Sequence, residues 1–164
     1  MGGVIDLELR APLHRASSQA RLYWTVRALP GWILVALVET LLLLGERAAV
    51  VVPVVAVTAG LAAAHLAVMP QWRYRVHRWE ITDTAVYTQT GWFTQERRIA
   101  PMARIQTVDT RRGPVEQLFG LTNVTVTTAS AKGPLKIHAL DLAVADHIVE
   151  HLTRRAQLSS DDGT

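Results

Sequence analysis

Between Arg27 and Gln71 the chain carries almost no charge, and Glu46 with Arg47 divides this run into two apolar stretches, Ala28 to Gly45 and Ala48 to Pro70. A helix rising about 1.5 Å per residue needs roughly 20 apolar residues to cross a hydrocarbon core about 30 Å thick. Each stretch approaches that length, and the short polar break leaves room only for a tight turn. The pattern predicts a transmembrane helical hairpin over residues 28–70, with everything after it tethered to a membrane.

The 164 residues suit this hairpin plus one domain of about 90 residues, and a second soluble domain is not expected. Cysteine is absent, which excludes a disulfide framework, a thiol nucleophile and a cysteine metal site, and fits a reducing compartment. The net charge is +3 and nearly all of the positive charge is arginine, Lys132 and Lys136 being the two lysines. Such a lysine-poor, alanine- and valine-rich chain suggests a GC-rich bacterial genome. A secretory signal is not expected, because the first stretch begins late and is followed by a second rather than by a small-residue cleavage site. Arg10, Arg15, Arg21 and Arg27 precede the hairpin and Arg73, Arg75 and Arg78 follow it, against Arg47 alone in the turn. Positive residues stay on the cytoplasmic side, so both termini are expected there. Tyr23, Trp24 and Trp32, with Trp72, Tyr74 and Trp79, are expected at the headgroup level.

Within the hairpin, Ala56, Gly60 and Ala64 recur every four residues, placing small side chains on one helix face for close packing on the first helix or on another copy. Glu39 is the intramembrane polar candidate, as a carboxyl packed in the hairpin or a contact to a partner helix. His65 lies near the cytoplasmic boundary. Folding about Glu46 and Arg47 sets Glu39 level with about position 54 and His65 level with about position 28, so the two are not expected to be partners.

After Pro70 the pattern changes to short alternating segments. Arg73–Thr82, Thr84–Thr90, Trp92–Ala100, Arg104–Arg111, Thr122–Ala129 and Leu135–Leu140 are rich in valine, isoleucine, threonine and aromatic residues and are bounded by turn residues, which predicts six strands. Thr82-Asp83 and Thr90-Gly91 read as hairpin turns. Val124 and Val126 alternate with polar neighbours, as do Leu135, Ile137 and Ala139, so one face is core and the other is wet. Pro114–Phe119 reads as a helical turn stopped by Gly120. From Asp141, an N-cap candidate, Ala145, Ile148, Val149, Leu152 and Ala156 fall at helical spacing and predict one amphipathic helix against the sheet, followed by a fraying tail.

The succession YRVHRWEIT, AVYTQTGWFTQERRIAP, RIQTVDTRRGPVEQLFGL, NVTVTTAS and LDLAVADHIVEHL resembles the bacterial pleckstrin-homology-like (PH) family of YdbS-type membrane proteins. That family also sets two transmembrane helices ahead of its PH domain. The resemblance implies an α+β membrane protein: a two-helix transmembrane hairpin, then a mainly β PH-like domain closed by a C-terminal amphipathic helix. A PH fold has seven strands where the sequence shows six segments. The expected division is 1–27, a cytoplasmic interfacial segment; 28–70, the hairpin; 71–157, the PH-like domain; and 158–164, a disordered tail.

PH-like scaffolds host many activities, so the fold does not fix the function. The expected function is a membrane-anchored interaction or scaffold module of a bacterial cytoplasmic membrane, in contact with membrane lipids and with a membrane protein or its own copies; the resemblance adds a role in envelope stress or resistance. A second reading is an anionic headgroup-binding module in which Arg73, Arg75 and Arg78 are the lipid contacts, 73 and 75 sharing a face of an extended segment. A third is a metallohydrolase, since His147-Ile148-Val149-Glu150-His151 matches the H-x-x-E-H pattern. Too little chain follows for a third ligand, and the same residues fit a helix with Ile148, Val149 and Leu152 in the core and His147, Glu150 and His151 in water. No catalytic residue, metal or cofactor is expected. Arg97, Arg98, Arg104, Arg111 and Arg112 are candidates for a basic surface, but beside a bilayer anionic lipid is the nearer polyanion, and nucleic acid is not expected as a partner.

Overall fold

The structure, a computed structural model, describes residues 11–44, 48–91 and 93–161. The expected Glu46-Arg47 turn and Trp92 lie outside the described residues. Two long helices, α1 (Ala20–Leu43) and α2 (Ala48–Val76), are long and apolar enough to cross a membrane. Their outward side chains, including Leu34, Leu41, Val57 and Leu61, are exposed over a continuous apolar surface that suits lipid rather than water. α1 starts well before the apolar stretch, and Pro30, Pro53 and Pro70 all lie inside helices. Helices in lipid keep such prolines because neighbouring groups satisfy the freed carbonyls.

The helices pack antiparallel in constant register. Thr58 Oγ1 donates to Glu39 Oε1 at 2.6 Å, Trp32 Nε1 to His65 Nδ1 at 3.0 Å, and Arg73 lies 4.8 Å over the Trp24 ring. Glu39 is thus level with position 58 and His65 with position 32, about one turn beyond the levels expected from a symmetric fold at the turn. The difference arises because the first residues of α2 extend past the end of α1.

Seven strands lie among the described residues, and the expected alternation is clearest in the last two, Leu121–Thr128 and Leu135–Asp141. β1 (His14–Arg15), β2 (Arg78–Ile81), β3 (Ala85–Thr90) and β4 (Glu96–Pro101) form one antiparallel sheet in that order. A 3-10 turn, Met102–Arg104, leads to the second antiparallel sheet, β5 (Ile105–Arg111), β6 (Leu121–Thr128) and β7 (Leu135–Asp141), with α3 (Pro114–Leu118) between β5 and β6. α4 (Leu142–Asp161) closes the domain. Val86 and Ala100 from the first sheet, Val124, Val126, Leu135 and Ile137 from the second, and Ala145, Ile148 and Leu152 from α4 form one buried core. Each fully buried aliphatic side chain here contributes about 1.5–3 kcal/mol, and Leu152→Ala would cost about 2–5 kcal/mol.

Several boundaries differ from expectation. The segment Arg73–Thr82 is a strand only from Arg78, because α2 runs through Val76 and its ladder continues from His77 N–H to Arg73 C=O at 2.9 Å. The seventh strand comes from ahead of the hairpin: His14 pairs with Trp79, and the two rings stack with centroids 4.9 Å apart. β4 starts later than expected because residues 93–95 lie outside the strand; Gly91 has φ +108°, and a Cβ there would lie 1.9 Å from the Thr94 carbonyl oxygen. α4 reaches Asp161, so the helix takes up part of the segment expected as a tail.

Candidate functional site: a basic cleft at the base of the hairpin

The segment before α1 and the first turn of α1 belong to the domain. Ala16, Ala20, Tyr23 and Trp24 are buried in a second apolar cluster with Leu121 and Ala139, so Tyr23 and Trp24 face protein rather than headgroups. Ser17 fastens the junction, its N–H donating to Ala139 C=O at 2.9 Å and its hydroxyl to Asp141 Oδ1 at 2.6 Å. Ala139 has φ +55°, at a β-bulge between β6 and β7, and its N–H donates to Asn123 Oδ1 at 3.0 Å. Asn123 thereby links the bulge to the next layer, its amide donating to Glu116 Oε1 at 3.2 Å.

Glu116 is the centre of that layer. Tyr23 Oη donates to Oε1 at 2.8 Å, Arg27 donates to Tyr23 Oη, and Arg27 Nη1 lies 3.5 Å from the same carboxylate oxygen. A Cβ on Gly113 would meet Glu116 Oε2 at 2.6 Å, so the glycine leaves space for the carboxylate. Burial alone would raise the Glu116 pKa, but the hydrogen bonds and the Arg27 charge outweigh it and hold the carboxyl below its usual value.

Around this network opens a cleft of about 710 Å³, walled by the bases of α1 and α2, by α3 and by the outer face of β6 and β7. Arg27, Arg73, Arg111, Lys136 and His138 line it. Apart from the Arg27–Glu116 pair, no carboxylate pairs with these cations among the described residues. His138 is pushed down to about 4, first by burial and then by Arg73, Lys136 and Arg27, and the neighbouring His77 to about 4 by burial and Arg73. Two imidazoles held neutral beside uncompensated guanidinium groups make this a positive, anion-accepting site.

Of the expected lipid contacts, only Arg73 enters the cleft. Being helical, residues 73 and 75 point about 200° apart instead of sharing a face; Arg75 is exposed, and Arg78, on β2, donates through Nε to Arg75 C=O at 3.4 Å. Glu39 meets Thr58 inside the hairpin. Ala56, Gly60 and Ala64 are exposed on the side of α2 away from α1, which packs instead through residues such as Val55, Thr58, Ala62 and His65. The five candidate arginines divide between two places: Arg97, Arg98 and Arg104 line a second cleft with Lys132, where Arg98 donates to the carbonyls of Lys132, Gly133 and Pro134, whereas Arg111 belongs to the first cleft and Arg112 donates to Leu121 C=O. His147 and Glu150 are exposed, Glu150 pairs with Arg154, and among the described residues no three metal-ligating side chains converge. His147 and His151 instead border an apolar groove of about 500 Å³ between α4 and β2, with Trp79, Ile81 and Val144.

Tyr23, Arg27, Glu116, Asn123, Lys136 and His138 were not singled out from sequence as a site. The available signal was the position of Arg27 and Arg73 at the two open ends of an antiparallel hairpin, which must be neighbours.

The bacterial PH domain family matches residues 33–156, which takes in most of the hairpin as well as the domain. The chain belongs to this family. A curated relative, the UPF0699 transmembrane protein YdbS of Bacillus subtilis (strain 168), is 34% identical over 95 residues, covering 58% of this chain and 58% of that protein. The alignment thus spans little more than half of the relative's length. No solved structure matches. The two packed antiparallel sheets closed by α4 are the PH-like part of this bacterial PH domain protein, and α1 and α2 its membrane part.

Proposed function

We propose that this protein is a membrane-anchored interaction module of a bacterial cytoplasmic membrane, with both ends of the hairpin and the PH-like domain on the cytoplasmic side. Its activity is binding rather than catalysis. The observation that carries this reading is the shared core: Tyr23 and Trp24 of the membrane helix are 3% and 2% exposed, packed with Leu121 and Ala139 of the domain. A domain fused in this way is held in a fixed pose at the bilayer face, where a flexible linker would let it wander. The pose presents the basic cleft beside the membrane and the apolar α4–β2 groove elsewhere on the domain. The groove favours a protein segment as a second kind of partner.

The test places a photo-crosslinking residue at Thr125, in the cleft, or at Val144, in the groove, of the full chain in native membranes. Adducts with lipid or membrane protein at either position are expected. Failure to form an adduct at both, with the chain inserted and folded, would overturn the reading.

A further inference from the structure

The cleft opens where the apolar surface of the helices ends. Arg27 immediately precedes the apolar stretch of α1, and Arg73 lies just beyond Pro70 on α2. β2 leaves α2 at Arg78, which pairs with Gln89, so the β3–β4 turn returns toward the helix side of the domain. Leu118, the last residue of α3, whose Pro114, Val115 and Glu116 line the cleft, is 78% exposed. A large apolar side chain presented to water in this way is unfavourable in solution and is accommodated at a bilayer interface.

We propose that the cleft binds the phosphate group of an anionic membrane lipid, with Arg73, Arg111 and Lys136 holding its oxygens. This rests on the reading of the chain as a membrane-anchored module and names the ligand of its cleft. The guanidinium groups offer forked donors that match phosphate oxygens, and the lysine adds a mobile point charge. Glu116 offsets one charge, that of Arg27, and leaves Arg73, Arg111 and Lys136 to give the site its positive balance. Arg73, stacked on Trp24, is a pre-positioned donor at the helix boundary. Burial is the main cause of the low pKa of His138, and Arg73, Lys136 and Arg27 push it in the same direction.

The test uses the full chain in neutral detergent, with retention of phosphatidylglycerol, phosphatidylcholine or soluble glycerol 3-phosphate measured by native mass spectrometry. The variant is Arg111→Gln with Lys136→Gln, both exposed positions, and its melting curve checks the fold. The charge-matched control is Arg104→Gln with Lys132→Gln, outside the cleft. Phosphatidylglycerol should be retained in preference to phosphatidylcholine, and about 25-fold more weakly by the cleft variant, at about fivefold for each cation lost near a membrane. The control should match the native chain. Equal retention of the two lipids, a cleft variant equal to the native chain, or a control that loses as much as the cleft variant would overturn the proposal. Glycerol 3-phosphate held as tightly as the lipid would overturn the lipid as the source. Crosslinks at Thr125 or Val144 without headgroup preference would remove the lipid ligand and leave the anchored module standing.

Discussion

The Tyr23 hydroxyl donates to Glu116 Oε1 at 2.8 Å, and both residues are buried. One partner lies in the first turn of a helix long enough to span a membrane and the other in a short helix of the PH-like domain. The bond makes the hairpin and the domain parts of one hydrogen-bonded structure, and a carboxylate in that setting depends on its donors.

Tyr23→Phe keeps the ring and removes the donor. The buried carboxylate then keeps Asn123 and Arg27 but loses its shortest hydrogen bond, at a cost of about 1–3 kcal/mol. Thermal unfolding in detergent should show the loss. In a double-mutant cycle with Glu116→Gln the two changes should couple by about 0.5 kcal/mol or more; strict additivity would mean that the contact is not energetic.

Stability should fall as pH is lowered from about 6.5 to about 4. His77 and His138 titrate at about 4 in the fold, against an ordinary value of 6.5. Across that window the unfolded chain binds protons that the folded chain refuses, so acid favours unfolding, and His77 alone would contribute about 3 kcal/mol. Glu116, whose pKa is lowered, stabilises above the ordinary carboxylate value, and that contribution is lost as pH falls through its own pKa. Both effects have the same sign. Melting temperatures of the native chain and His77→Gln should converge toward pH 4, and a native profile flat from 6.5 to 4.5 would contradict the argument.

Topology is testable because the native chain has no cysteine. Ser130 is exposed in the β6–β7 turn. With the domain cytoplasmic, Ser130→Cys should resist a membrane-impermeant thiol reagent in intact cells and react after permeabilisation. Reaction in intact cells would invert the orientation drawn from the arginines.

On α4, His147→Ala with His151→Ala should change stability by no more than about 0.5 kcal/mol, the usual range for surface sites. Ile148 is 3% exposed in the core, so Ile148→Asp places an unpaired charge there and should unfold the domain. A double histidine variant that stays folded but releases a bound metal ion would restore the H-x-x-E-H reading.

The hairpin was legible because lipid demands long apolar helices, and six strands were legible because burial of one sheet face imposes alternation on segments such as Asn123–Thr127. β1 was not, since two residues, His14 and Arg15, are too few to show a period. The end of α2 was misplaced because Pro70 followed by Arg-Tyr-Arg-Val reads as a stop and a strand in water, whereas packing of Tyr74 on the Ala16–Trp24 cluster keeps that segment helical. The cleft drew its side chains from α1, α2, α3, β5, β6 and β7, and no local pattern marks groups brought together only by tertiary folding.

Arg73 and Arg75, equivalent as juxtamembrane charges in the sequence, should therefore behave differently. Arg73 stacks on Trp24 and, after burial, is the next largest cause of the low pKa of both His77 and His138, whereas Arg75 is exposed on another side of α2. Arg73→Gln removes a cation–π contact of about 0.5–2 kcal/mol and a repulsive charge near both imidazoles. Their pKa values should rise toward 6.5, so the acid loss of stability should become shallower even as stability at neutral pH declines. Arg75→Gln should leave both the neutral stability and the pH profile unchanged. Imidazole shifts followed by NMR through a pH titration separate the two variants, and the same histidine titration in Arg73→Gln and the native chain would remove Arg73 from the cleft.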